Sequence, residues 1–280
     1  MLSYQHLYHA GNPADVLKHA VLTLLMQSLQ RKEKPLRVFD THAGSGLYDL
    51  ESAEACKTAE YHEGVGRLFS ATDAPGQLSS YLALVRDINP DGRLRRYPGS
   101  PLIAAKLLRP DDHLELMELH PQALSELRAC LGGERRAHIH NRDGYEGLPA
   151  LLPPRERRGL VLIDPSYEIK EEFRRVIALL KEGIGRWATG CYAIWYPLLD
   201  HPAAADFLPR VAATAIPRIF RAELAVLPKT HPGMTGSGML IVNPPWGMEE
   251  ALNQLLPWLW GRLAAEGAGH WRADWLTPET

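Results

Sequence analysis

An α/β domain on a mostly parallel sheet is the fold class the sequence predicts, and three features predict it. Short apolar runs alternate with helix-prone segments along most of the chain, the pattern of parallel strands joined by covering helices. The last two apolar runs, RIFRAELAVLP and GMLIVNPP, are joined by a stretch rich in Gly, Pro and Thr and form a wide hairpin. At 280 residues, 45% hydrophobic and 23% charged, the chain can bury a large core.

Asn12-Pro13 predicts a helix start, an N-cap followed by Pro in the first turn with Asp15 beside it. Val16, Leu17, Ala20, Val21, Leu24, Leu25 and Leu29 continue that helix to about RKEK. LRVFDTHAGSG is a strand breaking into a glycine-rich turn. Residues 48–96 show short helical stretches without a clear strand, a helical insertion. After Tyr97-Pro98-Gly99-Ser100-Pro101 the alternation resumes. SPLIAAKLL, PQALSELRACL, EGLPALL and IKEEFRRVIALLKEGI are helices; HLELMEL, AHIHNRD, GLVLIDP and CYAIWYP are strands. With the hairpin this gives seven strands. No element is assigned between Pro197 and Arg218 or beyond Trp246.

In a doubly wound sheet, ligands sit beyond the carboxyl ends of the parallel strands. The first strand ends in Asp40-Thr41-His42-Ala43-Gly44-Ser45-Gly46, where glycine lets backbone approach a ligand. Asp49 stands where a dinucleotide fingerprint would place its third glycine, which favours a cofactor without phosphates. Glu118 ends the second strand and can accept both hydroxyls of a ribose. Asp143-Gly144 ends the third, where a carboxylate beside a small residue can take an adenine amine. Singly, each is as readily a strand cap or a turn; at successive strand ends they describe a pocket for S-adenosylmethionine.

The fourth strand ends in Asp164-Pro165-Ser166-Tyr167. An exocyclic amine of a base is a poor nucleophile because its lone pair is delocalised into the ring. A carboxylate and a carbonyl that accept its two N–H bonds favour a pyramidal nitrogen. Asp164 is the expected acceptor and general base, the Pro165 carbonyl the second acceptor, and Tyr167 the wall against a flipped-out base. A fuller version of the tetrapeptide, Asn243-Pro244-Pro245-Trp246, follows the last strand. If that strand is antiparallel, the motif lies on the far edge, with Trp246 a packing residue.

The opening Ser3-Tyr4-x-His6-x-x-His9-Ala10-Gly11-Asn12-x-Ala14-Asp15-Val16-Leu17-Lys18-His19 resembles the start of the RlmJ family, the bacterial 23S ribosomal RNA adenine-N6 methyltransferases. Asp40-Thr41-His42-Ala43-Gly44, Tyr97 to Pro101, Trp195-Tyr196-Pro197 and Gly233 to Trp246 are also similar, so the likeness spans the chain. It implies a Rossmann-like class I S-adenosylmethionine-dependent methyltransferase domain over residues 1–280. Residues 1–30 would be a substrate and cofactor segment. The resemblance further implies that His19, His42, Ser100, Glu118, Asp143, Gly144 and Asp164 bind the cofactor. Tyr4, with His6 and Lys18, would face 23S rRNA, protein-free or in an early assembly intermediate. By composition alone His6, His9 and Lys18 are solvated polar side chains. Ser166 departs from the family pattern, which has proline there.

A net charge of −2 argues against indiscriminate nucleic-acid binding but leaves room for local basic patches. Arg93, Arg95 and Arg96, and Arg155, Arg157 and Arg158, are candidates to contact phosphate. Cys56, Cys130 and Cys191 are too few and scattered for a disulfide framework or a metal pair. With no signal peptide or membrane span in view, the chain is expected to be a soluble, metal-free, cytoplasmic monomer. The competing readings are a DNA adenine-N6 methyltransferase, a catalytically silent RNA-binding relative, and a dehydrogenase, the last disfavoured by Asp49.

Overall fold

A computed structural model describes residues 5–265 and 267–278. It begins with α1 (Pro13–Gln30), capped as expected: the Asn12 side chain accepts from the Asp15 N–H at 2.9 Å. Next come β1 (Arg37–Asp40) and a short strand β2 (Leu47–Asp49). α2 (Ala53–Thr58) and α3 (Ser79–Asp87) follow, and then β3 (Arg96–Pro98). β2 pairs antiparallel with β3, which the sequence reading leaves out, so the two ends of the helical segment are held side by side. The chain continues through α4 (Ser100–Leu107), β4 (His113–Met117), α5 (Pro121–Leu131), β5 (Ala137–His140), α6 (Gly144–Leu151) and β6 (Gly159–Ile163). It ends with α7 (Glu172–Arg186), β7 (Cys191–Leu199), α8 (Pro202–Ala212), β8 (Ile219–Ala225), β9 (Met234–Val242), α9 (Met248–Leu263) and β10 (His270–Thr277).

The main sheet has the order β10-β8-β9-β7-β6-β1-β4-β5. β7, β6, β1, β4 and β5 are mutually parallel, so their carboxyl ends share one edge. Strand order reverses between β1 and β6, the switch point where such folds bind ligands. Adjacent residues of β1 face opposite layers: Val38 packs with α1, α4 and α9, Phe39 with α6, α7 and α8.

The expected fold class is observed, with eight strands in this sheet rather than seven. β10 was missed because Arg272 and Asp274 interrupt its apolar residues, as befits an edge strand with one exposed face. α8 and α9 were missed because each carries an internal proline, Pro209 and Pro257, a residue that ordinarily breaks a helix.

β9 runs antiparallel to β7, with Val242 opposite Tyr192 near the start of that strand. The carboxyl end of β9 therefore lies at the amino edge, as the hairpin predicted. Asn243, at φ 53°, donates its side-chain N–H groups to the carbonyls of Ala188 and Gly190, each at 2.8 Å. The expectation for Trp246 is corrected: it is 88% exposed. Asn243 and Gly247 are both left-handed, which turns the loop outward, and Met248 fills the core instead.

Candidate functional site

A cavity of about 470 Å³ opens at the carboxyl edge. His6, Lys18, His19, His42, Ser100, Glu118, Asp143, Gly144, Asp164, Pro165 and Tyr167 all line it. Eleven of the twelve site residues expected from sequence thus gather in one place; Tyr4 lies outside the described residues.

The carboxylates at the strand ends are held by short bonds. Glu118, following β4, accepts the Gly44 N–H on one oxygen and the His120 N–H on the other, both at 2.7 Å. Each oxygen keeps a second lone pair, so a pair of hydroxyls can still donate to it. Asp143 caps α6 by accepting from the Tyr145 N–H at 2.9 Å. Its other oxygen accepts from Arg175 on α7 at 2.8 Å, and that guanidinium lies 3.8 Å over the Tyr145 ring. Burial would raise the Asp143 pKa, but Arg175 and the Tyr145 N–H outweigh it and hold it low. Asp40, at the end of β1, accepts the Ser100 hydroxyl at 2.7 Å. Burial pushes Asp40 up to about 6, with the Ser100 bond pulling the other way. Ser100 thus acts first on Asp40.

The cationic and imidazole groups are arranged as tightly. Lys18 is buried, with its Nζ 2.8 Å from Asp15 and 2.5 Å from Asp164. Burial works against the ammonium, yet the two carboxylates lift its pKa well above the usual value. Asp15 also accepts from His6 and from the Gly11 N–H, both at 2.9 Å. Although burial would raise Asp15, the charges of His6 and Lys18, with the hydrogen bond from His6, hold it well below the carboxylate range. The reading of Lys18 as a solvated side chain is therefore overturned. It sits between carboxylates and anchors Asp164, because α1 is buried on all sides from Ala14 to Met26 and has no solvent face there.

His19 receives or gives a hydrogen bond at Nδ1 with the Tyr97 hydroxyl, 2.7 Å away, which in turn meets the Tyr81 hydroxyl at 3.0 Å. Its Nε2 is buried without a partner. Burial lowers His19 to about 3 and His42 to about 4, so both imidazoles are neutral near pH 7.

Tyr167 lines the cavity at φ 55°. Its hydroxyl donates to the Trp195 carbonyl at 2.8 Å, and its ring packs against Phe173, with centroids 4.5 Å apart. The Ser166 hydroxyl donates to Glu172 at 3.3 Å, a bond that proline could not make. Sequence reasoning named no role for Asp40, placed Asp15 only in the first turn of the opening helix, and missed Arg175 and Tyr145. For Asp15 a signal exists: a charge inside an otherwise apolar helix must find a buried partner. Arg175 carries none, because only the fold brings α7 to the end of β5.

The Arg93 to Arg96 cluster adjoins β3, and Arg95 pairs with Asp91 at 3.1 Å and Glu51 at 3.4 Å. Arg155, Arg157 and Arg158 precede β6, so they lie at the amino edge, away from the cavity.

Chemically, the cavity presents fixed acceptors and neutral imidazoles. That favours a ligand rich in hydroxyl and amine donors, with positive rather than negative charge.

The family model described as "Ribosomal RNA large subunit methyltransferase D, RlmJ" matches residues 33–277. The chain is 47% identical to the ribosomal RNA large subunit methyltransferase J of Escherichia coli (strain K12) over 280 residues, all of both chains. It is 46% identical to the protein of that name from Haemophilus influenzae, again over the full length of both. A crystal structure of a Legionella pneumophila protein superposes with a TM-score of 0.89 at 36% identity, covering 95% of this chain and 98% of that one.

Proposed function

The chain belongs to the RlmJ family of ribosomal RNA large subunit methyltransferases, and from that premise we propose that it methylates the N6 amine of an adenine in 23S rRNA, with S-adenosylmethionine as donor. The observation that carries this reading is Asp164: it ends β6 in the same cavity as Glu118 and Asp143 and is gripped by a buried lysine.

The residues present fit the donor. S-adenosylmethionine supplies an electrophilic methyl group on a sulfonium, a cation suited to a cavity of carboxylates. Glu118 would take the ribose hydroxyls and Asp143 the adenine amine, while the orphaned His19 Nε2 offers one polar contact to the amino-acid end. Gly44 and Gly144 stand where packing leaves no room for a side chain: a Cβ would collide with the Tyr48 hydroxyl at the first and the Thr41 carbonyl at the second, so both turns stay tight beside the cavity. His42 and Ser100 complete the expected set, Ser100 by fixing Asp40.

Toward the target base, the Asp164 carboxylate and the Pro165 carbonyl accept the two N–H bonds of the amine. Lys18 fixes the Asp164 rotamer, so little reorganisation is needed when the amine arrives. One Asp164 oxygen takes up the N6 proton as the new bond forms. Tyr167, locked by Trp195 and Phe173, gives the base a rigid wall. His6 positions Asp15, and through it Lys18.

The test is transfer of labelled methyl from S-adenosylmethionine to protein-free 23S rRNA, with duplex DNA in parallel and the product nucleoside identified. N6-methyladenosine formed in RNA supports the proposal; label in DNA alone, or in another nucleoside, overturns it.

A further inference from the structure

We propose that the amino edge of the sheet is a second RNA-contact surface, engaging a part of the rRNA remote from the base in the cavity, an inference that rests on rRNA being the substrate. Three loops meet there: residues 31–35 after α1, residues 153–158 before β6, and residues 243–247 between β9 and α9. Arg158 donates to the Lys34 carbonyl at 2.7 Å, and Arg109 donates to the carbonyls of Lys32 and Lys34 at 2.8 and 2.9 Å. A Cβ on Gly247 would lie 4.0 Å from the Arg31 guanidinium, so the Trp246 turn adjoins the same cluster.

The charge of this edge is unbalanced. Arg31, Lys32, Lys34, Arg155 and Arg157 are exposed, and no ion pair holds any of them among the described residues. Of the nearby carboxylates, Asp112 is taken by Arg109 and Glu156 by Arg37, leaving Glu33 and Asp111 exposed, with Glu249 and Glu250 exposed just past the Trp246 turn. Arg109 and Arg158 converge on one carbonyl, and burial together with that neighbouring positive charge lowers the Arg158 pKa. In a chain with a net charge of −2, five exposed cations without an ion pair among the described residues stand together here, at a cost in repulsion that a polyanion would remove. Beside them stands Trp246, 88% exposed. Cations that neutralise phosphates next to an aromatic face that stacks on bases are the two components of a surface for single-stranded or looped RNA.

Distance makes the inference specific. α1 runs from the cavity to this edge, and its 18 residues span roughly 27 Å. A stem-loop of only a few base pairs seated in the cavity would end short of this edge, whereas a long folded RNA can span it.

The test compares the wild-type protein with Lys32→Glu/Lys34→Glu/Arg155→Glu and with Trp246→Ala. The probes are protein-free full-length 23S rRNA and a short stem-loop fragment that still accepts methyl. The triple variant is expected to bind full-length RNA at least tenfold more weakly, with a salt slope shallower by about 2–3 units. Trp246→Ala is expected to weaken the same binding by about fivefold or more with its salt slope retained. Melting temperature and kcat/KM on the fragment should stay at wild-type values in both variants. Unchanged affinity for full-length RNA, or equal losses on the fragment, would overturn the proposal. Binding needs no turnover, so failure of wild-type protein to methylate either RNA is a separate result, counting against the activity proposed above.

Discussion

Asp164-Pro165-Ser166-Tyr167 and Asn243-Pro244-Pro245-Trp246 are near-copies placed at opposite edges of one sheet, and almost nothing about their surroundings is shared. The first ends a parallel strand: its carboxylate meets a buried ammonium, and its aromatic ring is covered by Phe173 and Trp195. The second ends an antiparallel strand: its amide ties down two carbonyls, and its indole stands in solvent. The left-handed residue is the fourth in one and the first in the other, Tyr167 at φ 55° and Asn243 at φ 53°. Strand direction, rather than completeness of the motif, decides which tetrapeptide can face a bound donor.

The widest separation between the edges should appear in catalysis. Asp164→Ala removes the proposed acceptor for the target amine and is expected to lower single-turnover methylation of 23S rRNA fragments by on the order of 10²–10³. Asn243→Ala loses two hydrogen bonds and a residue tolerant of left-handed backbone. It should cost about 1–2 kcal/mol in a denaturant melt, with the rate intact. Activity in Asp164→Ala together with its loss in a folded Asn243→Ala protein would reverse the assignment.

Next in size is the charge at each edge. Lys18→Met strips the cation from the buried Asp15 and the half-buried Asp164, a change that costs about 3–5 kcal/mol at buried sites. The exposed Lys34→Met at the other edge should stay within about 0.5 kcal/mol. Chemical denaturation of both variants checks the contrast; a mild Lys18→Met would mean that the network holds little of the fold together.

The strongly shifted groups at and beside the cavity give the carboxyl edge a pH dependence of its own. The folded values of His19 and His42, about 3 and 4, lie below the ordinary 6.5. The unfolded chain therefore takes up those protons first, and the stability they confer, full above about pH 6.5, is lost as pH falls through those values. Asp40 has the opposite sign. Its folded value of about 6 lies above 3.8, so the stability it adds in acid disappears as pH rises through 6. Asp40→Asn should accordingly gain about 3 kcal/mol at pH 8 and little near pH 4. Thermal melts of the variant and wild type at the two pH values provide the check.

The smallest effect is expected from Ser166→Pro. It removes the hydroxyl bond to Glu172 but keeps Asp164, the Pro165 carbonyl and Tyr167, so the methylation rate should remain within about threefold of wild type. Complete loss would assign the Ser166 hydroxyl or N–H a role of its own.

The legible part of the site was the part written in adjacent residues. Asp40 to Gly46, Glu118, Asp143-Gly144 and Asp164 to Tyr167 each end an apolar run, so the parallel sheet alone predicts their convergence. What stayed hidden depends on contacts between distant segments. Lys18 looks like a surface lysine until α1 is seen to be enclosed, and Arg175 looks like one more charge on α7 until that helix packs against the end of β5. The fold was legible wherever apolar runs were uninterrupted. It was not where Pro209 and Pro257 sit inside helices, or where the charges of β10 mask an edge strand.

The string from Tyr81 through Tyr97 to His19 joins α3, β3 and α1 by three polar groups, and each of its links can point either way. If Tyr97 gives its proton to Nδ1, the proton of the neutral imidazole is at Nε2 and the cavity sees a donor. If Nδ1 gives its proton to Tyr97, Nε2 is a bare lone pair and the cavity sees an acceptor. Switching between the two needs only a tautomeric shift and the rotation of hydroxyl hydrogens, with no heavy atom displaced. The protein thus holds an amphoteric contact at a fixed position, able to answer either end of a zwitterion, and the ¹⁵N shifts of His19 report which way it faces.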